Sequence, residues 1–276
     1  MLELQFFTHG RHWQVDTSPP IDLAVTLRFP GPQPRFFATS AATARPLQAG
    51  EFTGAVASGA SCNCSVLTLA PHCHGTHTEC VAHLTHDATG LAGLTPVPLA
   101  LALLVSVRSV PLGDLTLEPG SRHERTDPVI TRALLAEAAS RWAGDPWTAL
   151  VVRTLPHDPG RQHRSYDGPC PAPYFTSDAM RWIVEREVTS LVVDLPSLDR
   201  ADDGGALAAH REFWGLPPAA RDARQALRGS SLVTELACVP DAVADGLYLL
   251  DLQVPAFATD AAPSRPVLYP IRERAR

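Results

Sequence analysis

Pro71-His72-Cys73-His74-Gly75-Thr76-His77-Thr78-Glu79-Cys80-Val81-Ala82-His83 sets four histidines, two cysteines and a glutamate within thirteen residues. These side chains ligate divalent metals or exchange protons near neutral pH. Cys73, His77, Glu79 and His83 share odd parity, so on a strand or extended loop all four would face one side. On a helix, Cys73 and His77 would share a face, but Gly75 and Thr76 sit mid-stretch and disfavour a helix. The preceding Ser65–Ala70 alternates like a strand, so the spacing predicts a buried strand over 64–70 that ends at Pro71 and feeds a turn presenting the ligands. Zinc-finger spacing is absent: Cys62-x-Cys64 has no second pair. A single histidine here needs no more than an ordinary polar role, whereas seven such side chains together point to a metal or proton-transfer site.

Outward from this stretch the chain reads as alternating strands and helices. Ile21–Phe29 is strand-like and stops at Pro30-Gly31-Pro32. Residues 40–61 read as loop. Leu99–Val107 is apolar on both parities, as a central strand covered on both faces requires. Asp127 and Pro128 suit the N-cap and first turn of a helix carrying Leu134, Leu135, Ala138 and Trp142 as its core stripe. Trp147–Leu155 is a second buried strand. Residues 156–172 form a long loop suited to a lid or a subunit contact. Thr176 or Ser177 caps a helix through Met180, Trp182, Ile183 and Val184, and Thr189–Asp194 is the next strand. His210 sits in a short helix, Leu207–Trp214, and Glu235 in an apolar strand, Ser231–Ala237. A carboxylate on such a strand needs a partner, and a metal is a natural one. Gly246–Val254 and Arg265–Ile271 complete the strands. His86 and Asp87 stand close enough to the cluster to orient a ligand imidazole.

Composition narrows the function. All 23 basic residues are arginine, which removes lysine Schiff-base chemistry and a lysine-bearing phosphate loop. A net charge of -6 gives no electrostatic case for nucleic acid or an anionic membrane. No apolar run reaches ~18 residues, so no membrane span is expected. Met1–Phe7 lacks a signal-peptide pattern, and six cysteines in 276 residues need not pair. Cys62, Cys64, Cys170 and Cys238 read as small apolar side chains, and the expectation is a reduced, cytoplasmic protein.

Gly75-Thr76-His77-x-Glu79-x-x-x-His83 resembles the His-x-Gly-Thr-His-x-Asp-x-Pro-x-His signature of the cyclase family, which includes bacterial kynurenine formamidases and isatin hydrolase. Asp194-Leu195-Pro196-Ser197-Leu198-Asp199, Ala209–Trp214 and Leu232–Leu236 follow in the family's order, so the resemblance covers most of residues 20–270. It implies an α/β fold, a swivelling β/β/α domain with a mixed central sheet, as a single domain over 1–276. It further implies that His77 and the first motif position bind one metal, that Glu79 replaces a bridging aspartate, that His210 binds a second metal, that Glu235 contacts one or both metals, and that His83 is the catalytic proton shuttle. Two departures stand out. Cys73 occupies the first ligand position, with His72 and His74 beside it, and Glu79 is one methylene longer than aspartate. Cysteine favours zinc over manganese, so the cofactor expectation is one or two divalent ions, zinc first and manganese second. The implied activity is hydrolysis of an amide, formamide, lactam or lactone of a small aromatic molecule by metal-activated water, arylformamidase-like. A ring-closing or eliminating enzyme, or a metal-poor binding protein, are the alternatives. The family also implies a homodimer or higher homo-oligomer and aromatic substrate contacts near the N-terminus, for which Trp13, Phe36 and Phe37 are candidates.

Overall fold

The computed structural model describes residues 4–86, 89–94, 99–113, 115, 122–168 and 171–274; Asp87 and Cys170 lie outside them. Eleven strands make one mixed sheet. In chain order they are β1 (Leu4–Thr8), β2 (Arg11–Val15), β3 (Ile21–Asp22), β4 (His77–Glu79), β5 (Ala100–Arg108) and β6 (Ala149–Leu155), then β7 (Ser190–Val193), β8 (Leu232–Glu235), β9 (Gly246–Asp251), β10 (Ala261–Pro263) and β11 (Val267–Glu273). The spatial order is β1-β2-β11-β9-β5-β6-β7-β8-β4-β10, with β3 paired to β11. The four central strands β5 to β8 run parallel, and every other pairing is antiparallel.

Parallel neighbours need crossovers, and three short helices supply them. These are α1 (Arg132–Ala138), α2 (Ser177–Glu185) and α3 (Ala208–Trp214). They lie side by side on one face of the sheet. Leu135, Ala179, Met180, Ile183, Phe213 and Trp214 pack there on Leu103, Val105, Leu150, Val152, Leu191 and Val233. The opposite parity, with Ala102, Leu104, Val151 and Val192, is covered by Leu23, Val239 and Leu268. Burial on both faces explains why β5 to β7 lack alternation in the sequence. No described helix is long and apolar enough to cross a membrane.

The mixed α/β architecture agrees with the sequence reading, and several boundaries move. Ser65–Thr68 is not a buried strand leading into the main sheet. It pairs antiparallel with Thr43–Pro46 at the surface, within the stretch read as loop. Asp127 does not cap α1. Pro128 begins a short strand, Pro128–Ile130, and Thr131 caps the helix, its Oγ1 accepting from the Leu134 N–H at 3.4 Å. Asp127 instead accepts from the Glu124 N–H, the Tyr174 hydroxyl and Arg200. The loop after β6 is pinned where Arg161 reaches the Asp194 carboxylate and the Thr154 carbonyl.

Candidate metal and catalytic centre

The cluster lies at the β8-β4-β10 edge of the sheet. In β4 the side chains of His77 and Glu79 point to the same face because they are two residues apart. Antiparallel pairing sets Glu235 of β8 directly opposite His77, so its side chain joins that face. Gly75, at φ 82°, makes the turn into β4 in a conformation that favours glycine. Thr76 fastens the turn: its hydroxyl donates to the Leu236 carbonyl at 2.6 Å and accepts from the Val25 N–H. Leu236 itself takes a left-handed φ of 52°, immediately after Glu235, and its N–H donates to the Leu195 carbonyl. Two short 3-10 turns, Pro71–Cys73 and Val81–Leu84, bring His72 and His83 in from the two ends of the stretch. α3 brings His210. The edge strand β10 brings Asp260, whose carbonyl accepts from the Cys80 N–H.

Three groups of three ligand atoms converge among the described residues: His72, His77 and Glu79; Glu79, His210 and Glu235; and His72, His83 and Asp260. The atoms of each group lie within 4.8 Å of one another. Two donors each ~2.1 Å from a tetrahedral ion stand about 3.4 Å apart. The observed separations are of that size: His72 Nδ1 to Glu79 Oε2 3.3 Å, His77 Nε2 to Glu235 Oε2 3.4 Å, His210 Nε2 to Glu235 Oε1 3.4 Å. His77 Nε2 and Glu79 Oε2 are buried and have no partner in hydrogen-bond geometry. Leaving such atoms bare in the interior is costly, and a shared cation would satisfy both.

Hydrogen bonds preset the imidazoles. His77 Nδ1–H donates to the Gly75 carbonyl, which turns the Nε2 lone pair into the site. His210 Nδ1 lies 2.6 Å from Asp199 Oδ2, and its Nε2 lies 2.8 Å from Glu79 Oε1. Burial pulls the His210 pKa down, but Glu79, Asp199 and Glu235 together hold it well above the usual imidazole range. Burial likewise pushes the Glu79 carboxyl up, and His210, His83 and His72 more than reverse it, leaving it well below the ordinary value. Burial pushes Glu235 up and Glu79 repels its charge, but His210 and His77 outweigh both and leave it below the ordinary value. His72 is pushed up to about 10: burial disfavours its charge, and Asp260 and Glu79 outweigh burial. With protons as the only cations, the acid cluster thus favours the charged forms of His72 and His210. The donor set therefore fits a divalent cation, for which His72, His77, Glu79, His210 and Glu235 offer the ligand atoms.

The structure brings together five of the six sequence candidates: His77, Glu79, His83, His210 and Glu235. It does not bring Cys73. That thiol is buried beside Thr39, outside the three groups, and burial raises its pKa despite the Thr39 hydroxyl. The Pro71–Cys73 turn breaks the extended parity and presents His72 instead. His74 faces away, with Nε2 at 2.8 Å from the Ser40 carbonyl. His86 hydrogen-bonds through its N–H to the Arg221 carbonyl and lies among Arg221, Asp222 and Arg224, outside the three groups. Trp13 and Phe36 are core residues, and Phe37 is exposed. Two contributors carried no signal as site residues: Asp199, within a quoted motif, and Asp260, 177 residues from His83.

Comparison with known proteins follows the same line. A family model described as putative cyclase matches residues 15–200, which span the cluster and stop short of His210 and Glu235. No curated protein matches the chain. Among solved structures, isatin hydrolase A from Labrenzia aggregata bound to benzyl benzoate is 15% identical with a TM-score of 0.60, covering 91% of this chain and 93% of that one. An isatin hydrolase bound to the product analogue thioisatinate is 14% identical at a TM-score of 0.55, over 92% and 93%. A structure described as a predicted metal-dependent hydrolase from Bacillus stearothermophilus is 15% identical at a TM-score of 0.55, over 93% and 98%. At these identities the likeness is one of fold.

Proposed function

The chain belongs to the cyclase family, and within it we propose a metal-dependent hydrolase that opens an amide, formamide, lactam or lactone bond of a small aromatic molecule. The observation that carries this reading is the pair of buried, unpartnered atoms, His77 Nε2 and Glu79 Oε2, within a donor set at ligand spacing. The hydrolase descriptions of the structural neighbours support it. With Cys73 outside the cluster the donors are nitrogen and oxygen only, a set that suits zinc and manganese alike.

A bound divalent cation supplies Lewis acidity, lowering the pKa of water and polarising a carbonyl. The protein's own groups do the rest. Glu79 and Glu235, both ionised and buried, fix the charge of the centre. Asp199 and Gly75 hold His210 and His77 in one orientation each. His83 Nε2 lies 3.8 Å from Glu79 Oε2, and its side chain is 26% exposed, so it stands between the centre and solvent. From there it takes a proton from the attacking water and returns one to the leaving nitrogen or oxygen.

Zinc- or manganese-loaded protein assayed on isatin and on N-formylaniline in 18O-labelled water tests the reading. The expected result is metal-dependent turnover with one labelled oxygen in the acid product. A product formed without solvent oxygen would replace hydrolysis by ring closure or elimination.

A further inference from the structure

The third convergent group contains a residue that no ligand role above uses. Asp260 Oδ2 lies 2.8 Å from His72 Nε2 and 3.2 Å from His83 Nδ1. The two rings stack at 4.2 Å between centroids, tilted by 29°, so both nitrogens reach the same oxygen. An ionised carboxylate only accepts. Both imidazoles must therefore donate, from Nε2–H of His72 and Nδ1–H of His83. The opposite nitrogens then follow. Where a cation takes the place of a proton between them, His72 Nδ1 is bare toward Glu79 Oε2, 3.3 Å away, and in a neutral ring His83 Nε2 is bare and faces the same oxygen at 3.8 Å.

We propose that Asp260 is a positioning residue that sets the tautomers of two imidazoles at once, aiming His72 Nδ1 at the metal and His83 Nε2 at the reacting water. The inference rests on the hydrolase reading for what the two nitrogens do. It does not rest on that reading for which nitrogen is protonated. The fold supplies the placement: β10 pairs with β4, Ala261 stands opposite Glu79, and the residue before Ala261 falls beside both turns of the cluster. A carboxylate behind a ligating imidazole is the usual support of a metal site. Here one carboxylate would serve the ligand and the acid-base group together. Its side chain is 42% exposed and fills no core position, so its removal should leave the fold intact.

The test compares wild type with Asp260→Asn and Asp260→Ala by two readouts that need no substrate. Chelator competition measures zinc affinity, and long-range 1H–15N correlation at a pH above the ordinary imidazole range reports the His83 tautomer. We expect Asp260→Ala to bind zinc ~10–100-fold more weakly and to lose the pure Nδ1–H form of His83, with Asp260→Asn intermediate. Wild-type zinc affinity in both variants together with an unchanged His83 tautomer would overturn the proposal. Weaker zinc binding with an unchanged tautomer would overturn the shared role. Zinc stoichiometry above two in wild type that falls by one in Asp260→Ala would make Asp260 a ligand and overturn positioning. Failure of wild type to bind zinc or manganese would overturn the hydrolase reading instead, and the tautomer would then decide on Asp260 alone.

Discussion

His83 combines partial exposure with a 3.8 Å approach to a fully buried carboxylate, the placement that the proposed proton shuttle requires. His83→Ala should therefore keep its bound metal and its thermal stability, while turnover drops by ~100-fold or more. Turnover near wild type would remove His83 from the chemistry. His77 and Glu79 were legible from parity alone, because that part of the stretch is a strand and strands alternate. The same rule put Cys73 on that face, but it lies outside the convergent groups, because the three residues Pro71–Cys73 form a turn in which alternation has no meaning. The odd position then buries its thiol and the even one, His72, enters the site. Asp260 could not be read at all: its place depends on a strand pairing, and spacing along the chain says nothing of that.

At the scale of elements, α3 shows how one carboxylate can do two jobs. Leu207, the residue before α3, has a left-handed φ of 47° and offers no side-chain cap. Asp199 caps the helix from outside, its Oδ1 accepting from the Ala209 N–H at 2.8 Å and its Oδ2 from the His210 N–H at 3.1 Å. The same Oδ2 holds the His210 ring at 2.6 Å. Asp199→Ala should thus cost about 0.5–2 kcal/mol of stability, as lost caps do, and weaken metal binding by ~10–100-fold. Thermal melts and chelator competition read the two effects separately. Met180→Ala, in the middle of α2, gives the contrast: about 2–5 kcal/mol of stability lost from the core, with metal stoichiometry unchanged. The alternating strands and helices from residue 99 onward were legible because their apolar runs are long. The start of α1 was not, because Asp127-Pro128 satisfies a capping pattern that Thr131 in fact fulfils, while Asp127 has three other donors to bind.

The whole molecule ties its parts together with buried charge as well as with apolar packing. Burial raises the Asp127 carboxyl, but Arg200, the Glu124 N–H and the Tyr174 hydroxyl outweigh it and leave its pKa below the usual carboxylate value. A carboxyl depressed in the folded state stabilises that state above its unfolded pKa of ~3.9 and loses the contribution as pH falls through the folded value. Arg200→Ala should accordingly lower the melting temperature at pH 7 and bring variant and wild type together as acid protonates Asp127 in the folded state, below its ordinary carboxylate pKa. A gap that persists undiminished in acid would assign the loss to packing rather than to the Asp127 charge. Bound metal should also stabilise the whole fold, by about 2.7 kcal/mol at a hundredfold excess over Kd.

Elemental analysis of zinc- or manganese-reconstituted protein, taken in parallel on wild type, Cys73→Ser, His72→Ala and Glu79→Gln, tests the metal centre most directly. The predicted result is one or two ions per chain in wild type and Cys73→Ser, with a marked loss in the other two. Absence of metal from wild type, or loss in Cys73→Ser with retention in His72→Ala, would contradict it.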